Sequence, residues 1–281
     1  MARPPVATEA EPLQPSPVEL DRIELGSGEV AAIITLNRPE QLNPIDWSMV
    51  SRLEQLLIEV EADASIRTVL VTGRGRAFSA GGDLKSYVAL QSDPAAFPAF
   101  LEDLHRTFRF ISRMSKPVVA LVNGVTAAGG LELILSCDFA FAAESARIGD
   151  AHLTYGQMGG GGVLTLLPRA VGPARARELV FSGRWLSAQE ALEWGIVNRV
   201  VPDGELLAAG LEFAAAVAER SPLAMANAKY VMNTAWASGT GVEEGLRLER
   251  ERNAYYCLTS EDAREGLRAF EEKRRPRFRG R

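Results

Sequence analysis

Short β-prone runs in this chain repeatedly end in glycine. Residues 68–72 (TVLVT) lead into Gly73, Gly75, Gly81 and Gly82, and residues 117–122 (PVVALV) lead into Gly124, Gly129 and Gly130. A third stretch, residues 156–162 (GQMGGGG), ends in four consecutive glycines. Such a run cannot lie inside a stable helix and reads as a loop that starts one at Val163. Glycines at these points let the backbone turn sharply and let a ligand come close to main-chain amides.

Between the glycine clusters, apolar residues recur at helical spacing. Met49, Leu53, Leu56, Leu57 and Val60 follow Asp46, a good helix cap. Phe97, Phe100, Leu101, Leu104, Phe108 and Ile111 form a second stripe. Residues 30–36 (VAAIITL) and 139–142 are two further β-prone runs. Strands alternating with helices predict an α/β architecture with crossover connections. After Gly204 the strand signals stop. Ser187 and Glu190 form a capping box for a helix that Gly195 ends. Ser221-Pro222 opens another helix, and residues 241–257 and 260–274 read as helical too. The expected organisation is a flexible proline-rich tail over 1–17, an α/β core over 18–204, and a helical region over 205–281.

Composition narrows the function classes. A chain of 281 residues, 47% hydrophobic and 24% charged, has enough length for a sizeable core. Cys137 and Cys257 sit far apart, so no disulfide framework is expected and a reducing compartment is favoured. With only His105 and His152, a zinc site built mainly on histidine is excluded. The net charge of −5 argues against a general nucleic-acid surface. No apolar run approaches the ~18 residues of a spanning helix, and residues 1–17 carry no apolar signal region. A cytoplasmic protein without membrane or nucleic-acid partners is the expectation.

The glycine clusters also carry the candidate chemistry. Arg76 and Lys85 flank the first, an arrangement suited to an anion. It lacks the GK[ST] ending of a phosphate-binding loop and the glycine spacing of a dinucleotide site. The second opens a helix, whose first N–H groups are free and lie at the positive end of the dipole. Two such amides from different loops, aimed at one point, would form an oxyanion hole. Glu132 falls in the first turn of that helix amid apolar residues. It either complements the dipole or serves as an acid/base group. His105, on an apolar stripe, reads as structural or exposed. Tyr155 and Met158 read equally as pocket walls or packing residues. Cys137 has no identifiable base and is not expected to be a nucleophile.

Taken together, LNRPEQLN (36–43), GRAFSAGGDL (75–84), KPVVALVNGVTAAGGLELILSCD (116–138), GRWLSAQEALEWGIVNRVV (183–201) and EKRRPRF (272–278) resemble the enoyl-CoA hydratase/isomerase (crotonase) superfamily. The resemblance covers residues 18–281. It implies a crotonase-like spiral of ββα units with a C-terminal helical region for trimerisation, as a homotrimer or a dimer of trimers. It implies an acyl-CoA thioester as substrate, with coenzyme A present only as part of that substrate and no separate cofactor or metal. By the same resemblance, Gly82 and Gly129 supply the oxyanion-hole amides and Glu132 is a catalytic carboxylate. Arg38, Leu42, Phe78, Ala80, Asp83 and Leu84 fall on the CoA-facing segments. Arg76, Lys85 and, from a neighbouring subunit, Lys273 match positions that meet CoA phosphates. One departure concerns the chemistry itself. Family hydratases use a second glutamate, and His152 stands in its place; the loop 156–162 is also one residue shorter. Hydration of a 2-enoyl-CoA is the leading expectation. The alternatives are another acyl-CoA reaction on the same oxyanion hole (isomerisation, hydrolysis or decarboxylation) or a catalytically silent CoA-binding homologue.

Overall fold

A computed structural model describes residues 15–281 except Ser27, Ser238 and Thr240. The described residues form ten strands: β1 (Val18–Gly26), β2 (Glu29–Leu36), β3 (Ile66–Gly73), β4 (Ala77–Ser79), β5 (Val118–Val122), β6 (Val125–Ala127), β7 (Phe139–Ala143), β8 (Arg147–Gly149), β9 (Trp185–Ser187) and β10 (Arg199–Val201). They also form eleven α-helices, besides three short 3-10 turns. α1 (Trp47–Ala62), α2 (Leu84–Gln91), α3 (Ala96–Arg113) and α4 (Gly129–Ser136) lie among the earlier strands. α5 (Val163–Val171), α6 (Pro173–Ser182) and α7 (Ala188–Trp194) follow. α8 (Leu206–Ala218), α9 (Pro222–Ala237), α10 (Val242–Thr259) and α11 (Glu261–Glu271) complete the chain.

Two sheets grow together along the sequence. The larger runs β1-β2-β3-β5-β7-β10, parallel from β2 onward with β1 antiparallel at its edge. The smaller runs β4-β6-β8-β9, with β9 antiparallel. The pairs β3/β4, β5/β6 and β7/β8 each place one long strand in the first sheet and one three-residue strand in the second. This is the spiral of ββα units that the family resemblance implies, with the chain crossing from one sheet to the other within each pair. β3 and β5 are buried along almost their whole length, as strands covered on both faces must be.

One face of the larger sheet packs on α1, α3 and the smaller sheet. α1 buries Met49, Val50, Leu53, Leu56, Leu57 and Val60, and the Asp46 carboxylate caps it by accepting from the Met49 N–H at 2.9 Å. α3 buries Phe100, Leu104, Phe108 and Ile111. The other face, with Ile33, Leu70, Val119, Leu121 and Phe141, packs on Leu206 and Ala209 of α8. α8 therefore completes the core, although its sequence position groups it with the C-terminal helices. Residues 1–14 of the expected tail lie outside the described residues. The tail's last two residues are held to the fold: Asn37 donates its main-chain N–H to Pro17 O at 2.8 Å and its amide to Ser16 O at 3.2 Å. Among the described residues, no helix is long and apolar enough to cross a membrane.

Candidate active site

The site forms where the first two glycine clusters meet. After β4, Gly81 turns the chain at a φ of +100°, a conformation that favours glycine. Ile45 donates to Gly81 O at 2.8 Å and accepts from the Asp83 N–H at 3.2 Å. These bonds bracket Gly82, whose own N–H has no main-chain acceptor among the described residues. After β6, Ala128 takes up φ 47° and ψ −115°, a strained conformation costing on the order of 1–3 kcal/mol, and α4 begins at Gly129. The Gly129 N–H, first in its helix, has no intrahelical acceptor. The two loops touch. A methyl group on Gly81 would lie 3.3 Å from the Gly129 nitrogen, and one on Gly129 would lie 3.7 Å from the Gly82 nitrogen. Two free amides thus stand side by side. Asn43 makes the arrangement rigid by donating to Ala77 O, Phe78 O and Arg74 O, and Ser79 donates to Asn43 O at 2.8 Å.

Glu132 lies one helical turn beyond Gly129, on the same side of α4, and is 2% exposed. Its Oε1 accepts from the Gly161 N–H at 2.7 Å and the Val163 N–H at 3.2 Å. The glycine run makes this possible, since a methyl on Gly161 would sit 2.5 Å from Oε2. The free Oε2 faces His152 Nε2 at 4.0 Å. His152 in turn contacts Asp150 through Nδ1 and Oδ1 at 2.8 Å. Asp150 is 1% exposed, and its Oδ2 has no partner among the described residues. Burial works against the charged imidazole. The hydrogen bond to Asp150 and the charges of Glu132 and Asp150 outweigh it and hold the His152 pKa above its ordinary value.

Sequence reasoning missed Tyr87. It lies on α2 and packs edge-on against Phe97 and Phe100, with centroids 5.8 and 5.7 Å away. A methyl on Gly82 would lie 2.7 Å from its Oη, so the phenol sits beside one of the free amides. Burial first, then the charges of Glu132 and Asp83, push its pKa up to about 12, and the hydroxyl remains a neutral donor. The signal was Asp83, whose carboxylate accepts from the Lys85 and Ser86 N–H groups and caps α2. A capped helix there places Tyr87 one turn in.

The structure brings Gly82, Gly129, Glu132 and His152 together. The expected CoA-facing residues divide. Arg76 and Lys85 are exposed, as is Leu84, while Leu42 and Ala80 are half-buried. Phe78 is fully buried in the core, so only its backbone can meet a ligand. Asp83 is engaged as a helix cap, and Arg38 pairs with Asp46 and, at 3.6 Å, with Asp83. Arg38 is therefore paired with the carboxylates that cap α1 and α2. Lys273 is exposed beyond α11. Tyr155 and Met158 are exposed, so neither packs into this chain's core. His105 is exposed on α3. Burial pushes the Cys137 thiol pKa up, against a nucleophilic role. Among the described residues no three His, Cys, Asp or Glu side chains cluster as metal ligands.

Comparison with known proteins places the chain in a family. The profile of the enoyl-CoA hydratase/isomerase family matches residues 27–281. A protein of Bacillus subtilis strain 168, provisionally named as an enoyl-CoA hydratase/isomerase, is 37% identical over 254 residues, 90% of this chain and 95% of its own length. One of Thermus thermophilus, provisionally named as an enoyl-CoA hydratase, is 38% identical over 258 residues, covering 91% of this chain and 100% of the relative. The crystal structure of an enoyl-CoA hydratase from Bacillus anthracis superposes with a TM-score of 0.86 at 33% identity, over 94% of this chain and all of that one. The chain belongs to the enoyl-CoA hydratase/isomerase, or crotonase, family.

Proposed function

We propose that this protein is an acyl-CoA-processing enzyme that adds water to a 2-enoyl-CoA thioester. One observation carries the reading: two adjacent free amides, Gly82 and Gly129, lie beside a buried carboxylate, Glu132, whose unbonded oxygen faces an imidazole 4.0 Å away. The thioester carbonyl accepts from both amides. As water adds to the β-carbon, negative charge moves onto that oxygen, where preorganised N–H groups stabilise it without reorganisation. Glu132 and His152 hold the water. Two polar atoms 4.0 Å apart, each ~2.8 Å from one oxygen, subtend about 90° there, close to the angle between neighbouring hydrogen-bond directions on a water. The reading needs no cofactor beyond the coenzyme A of the substrate. The exposed Arg76 and Lys85, with Lys273 of a neighbouring copy, are assigned to its phosphates. Assembly as a homotrimer or a dimer of trimers belongs to the same reading.

His152 in place of a carboxylate favours a second reading, in which the same oxyanion hole serves hydrolysis, isomerisation or decarboxylation of an acyl-CoA. The test is the loss of enoyl-thioester absorbance on adding a short 2-enoyl-CoA, with Glu132→Gln as control. Hydration that falls by about 10²-fold or more in the variant is the expected result. Binding without hydration moves the assignment to β-keto, malonyl-type and branched acyl-CoA substrates. Binding with no turnover of any of these marks a silent CoA-binding homologue.

A further inference from the structure

We propose that Asp150 is a positioning residue: it fixes His152 with Nδ1–H toward itself and Nε2 toward Glu132, so that His152, as imidazolium, protonates the substrate α-carbon while Glu132 takes a proton from water. The division of labour rests on the hydration reading above; the positioning does not.

Residues two apart in an extended strand lie ~6.5 Å apart along one face, beyond the hydrogen-bond reach of short side chains. Asp150 and His152 meet because Ala151 between them adopts φ 58°. The left-handed turn folds the imidazole back until Nδ1 is 2.8 Å from Asp150 Oδ1. A carboxylate accepts only, so Nδ1 must carry the proton of that bond. Nε2 then points at Glu132 Oε2. A neutral ring would set a lone pair against a carboxylate oxygen; a proton on Nε2 turns that opposition into attraction. Every charged group facing the ring favours the cation: Asp150 from its own loop and Glu132 from α4. The 156–162 loop, which carries no charged residue, approaches the ring at Gly159, where a methyl would lie 3.5 Å from Cε1. Among the described residues, neither Asp150 nor Glu132 pairs with a lysine or arginine that would offset this.

The proton balance closes. An O–H bond of water breaks, its proton passes to Glu132 Oε2, and its oxygen bonds to the β-carbon. The π-electrons of the double bond shift to give an enolate, whose oxygen lies at the Gly82 and Gly129 amides. The α-carbon then takes the Nε2 proton and leaves a neutral imidazole. The proton on Glu132 returns to Nε2 through the next water, across the 4.0 Å gap. The net change is one water added.

With only two histidines in the chain, this can be read directly. Side-chain 1H–15N spectra of the full-length protein, with His105→Gln to assign the signals, give the tautomer and titration of His152. The expected results are a midpoint above the ordinary ~6.5, protonated Nδ1 in the neutral form, and a midpoint about one unit lower in Asp150→Asn. A neutral ring protonated at Nε2, or a midpoint unmoved in Asp150→Asn, overturns the positioning. Asp150→Glu, which keeps the carboxylate, should restore much of the shift and guards against a variant that is merely misfolded. In hydration assays, kcat/KM should fall as pH rises through the His152 midpoint, and fall at lower pH in Asp150→Asn. A rate that instead rises through that pH makes His152 the base and overturns the acid role. If hydration is absent altogether, the hydration reading fails with the acid role, and the titration still decides what Asp150 does.

Discussion

Glu132 keeps its orientation because Gly161 has no side chain. A methyl there would lie 2.5 Å from Oε2 and 2.9 Å from Cδ, closer than any real contact. Gly161→Ala must therefore rotate the carboxylate or push the loop away, with loss of the bonds from Gly161 and Val163. A displacement of ~1 Å in a catalytic group costs about 10²-fold in rate, so kcat should fall by that order. The unfolding midpoint should move little, because the loop is glycine-rich and can give way. An unchanged kcat would mean that the Glu132 carboxylate plays no part in the chemistry. At this scale the family resemblance picked out Gly82, Gly129 and Glu132, and the structure brings the three together. The sequence was silent on the bond between Asp150 and His152, because alternate residues meet only through the left-handed Ala151, and alanine announces no such turn.

Legibility among the elements depends on length. α1 and α3 show their buried stripes plainly, since 16 and 18 residues repeat the helical period several times. β4, β6, β8 and β9 have three residues each, too few for an alternating pattern, so the second sheet was invisible. α9 illustrates a different gap, because its anchorage depends on distant carbonyls. Lys229 Nζ donates to Ile111 O at 3.1 Å, Lys116 O at 2.9 Å and Asp138 Oδ2 at 2.7 Å. Three acceptors satisfy its three N–H groups and pin α9 to the end of α3 and the start of β5 and β7. Lys229→Met keeps the length of the side chain and leaves these acceptors unmatched. Removing one partner of a buried pair costs roughly 3 kcal/mol, to be read as a lower denaturant midpoint with an unchanged slope. Adding Asp138→Asn should recover part of the loss, because the uncompensated charge is gone. A midpoint unmoved in the single variant would show that α9 is held by its apolar contacts alone.

The molecule as a whole exposes many large apolar side chains on its C-terminal helices. Met232, Trp236, Val242, Leu258, Leu267 and Phe270, spread over α9, α10 and α11, are each more than 60% exposed, and Phe270 reaches 83%. Single exposed apolar residues are ordinary, and this many within the last 50 residues are what the proposed assembly would cover. α10 makes the same point from its whole length, since none of its 18 residues is buried. A helix that packs this little against its own chain gains stability from tertiary contact elsewhere, because propensity alone holds isolated helices only marginally. The occupant proposed here is further copies of the same chain, which would also carry Lys273 toward a neighbouring site. Sedimentation should then give a mass of three or six times 30.4 kDa. Phe270→Glu, placing a charge on the most exposed of these rings, should lower that mass at micromolar concentration. Because Phe270 touches none of the groups around Glu132, the fold should survive; because Lys273 follows it by less than a turn, the KM for an acyl-CoA should rise as the assembly dissociates. A chain that sediments at 30.4 kDa with an unaltered KM in the variant would refute both the assembly and the role of Lys273 across it.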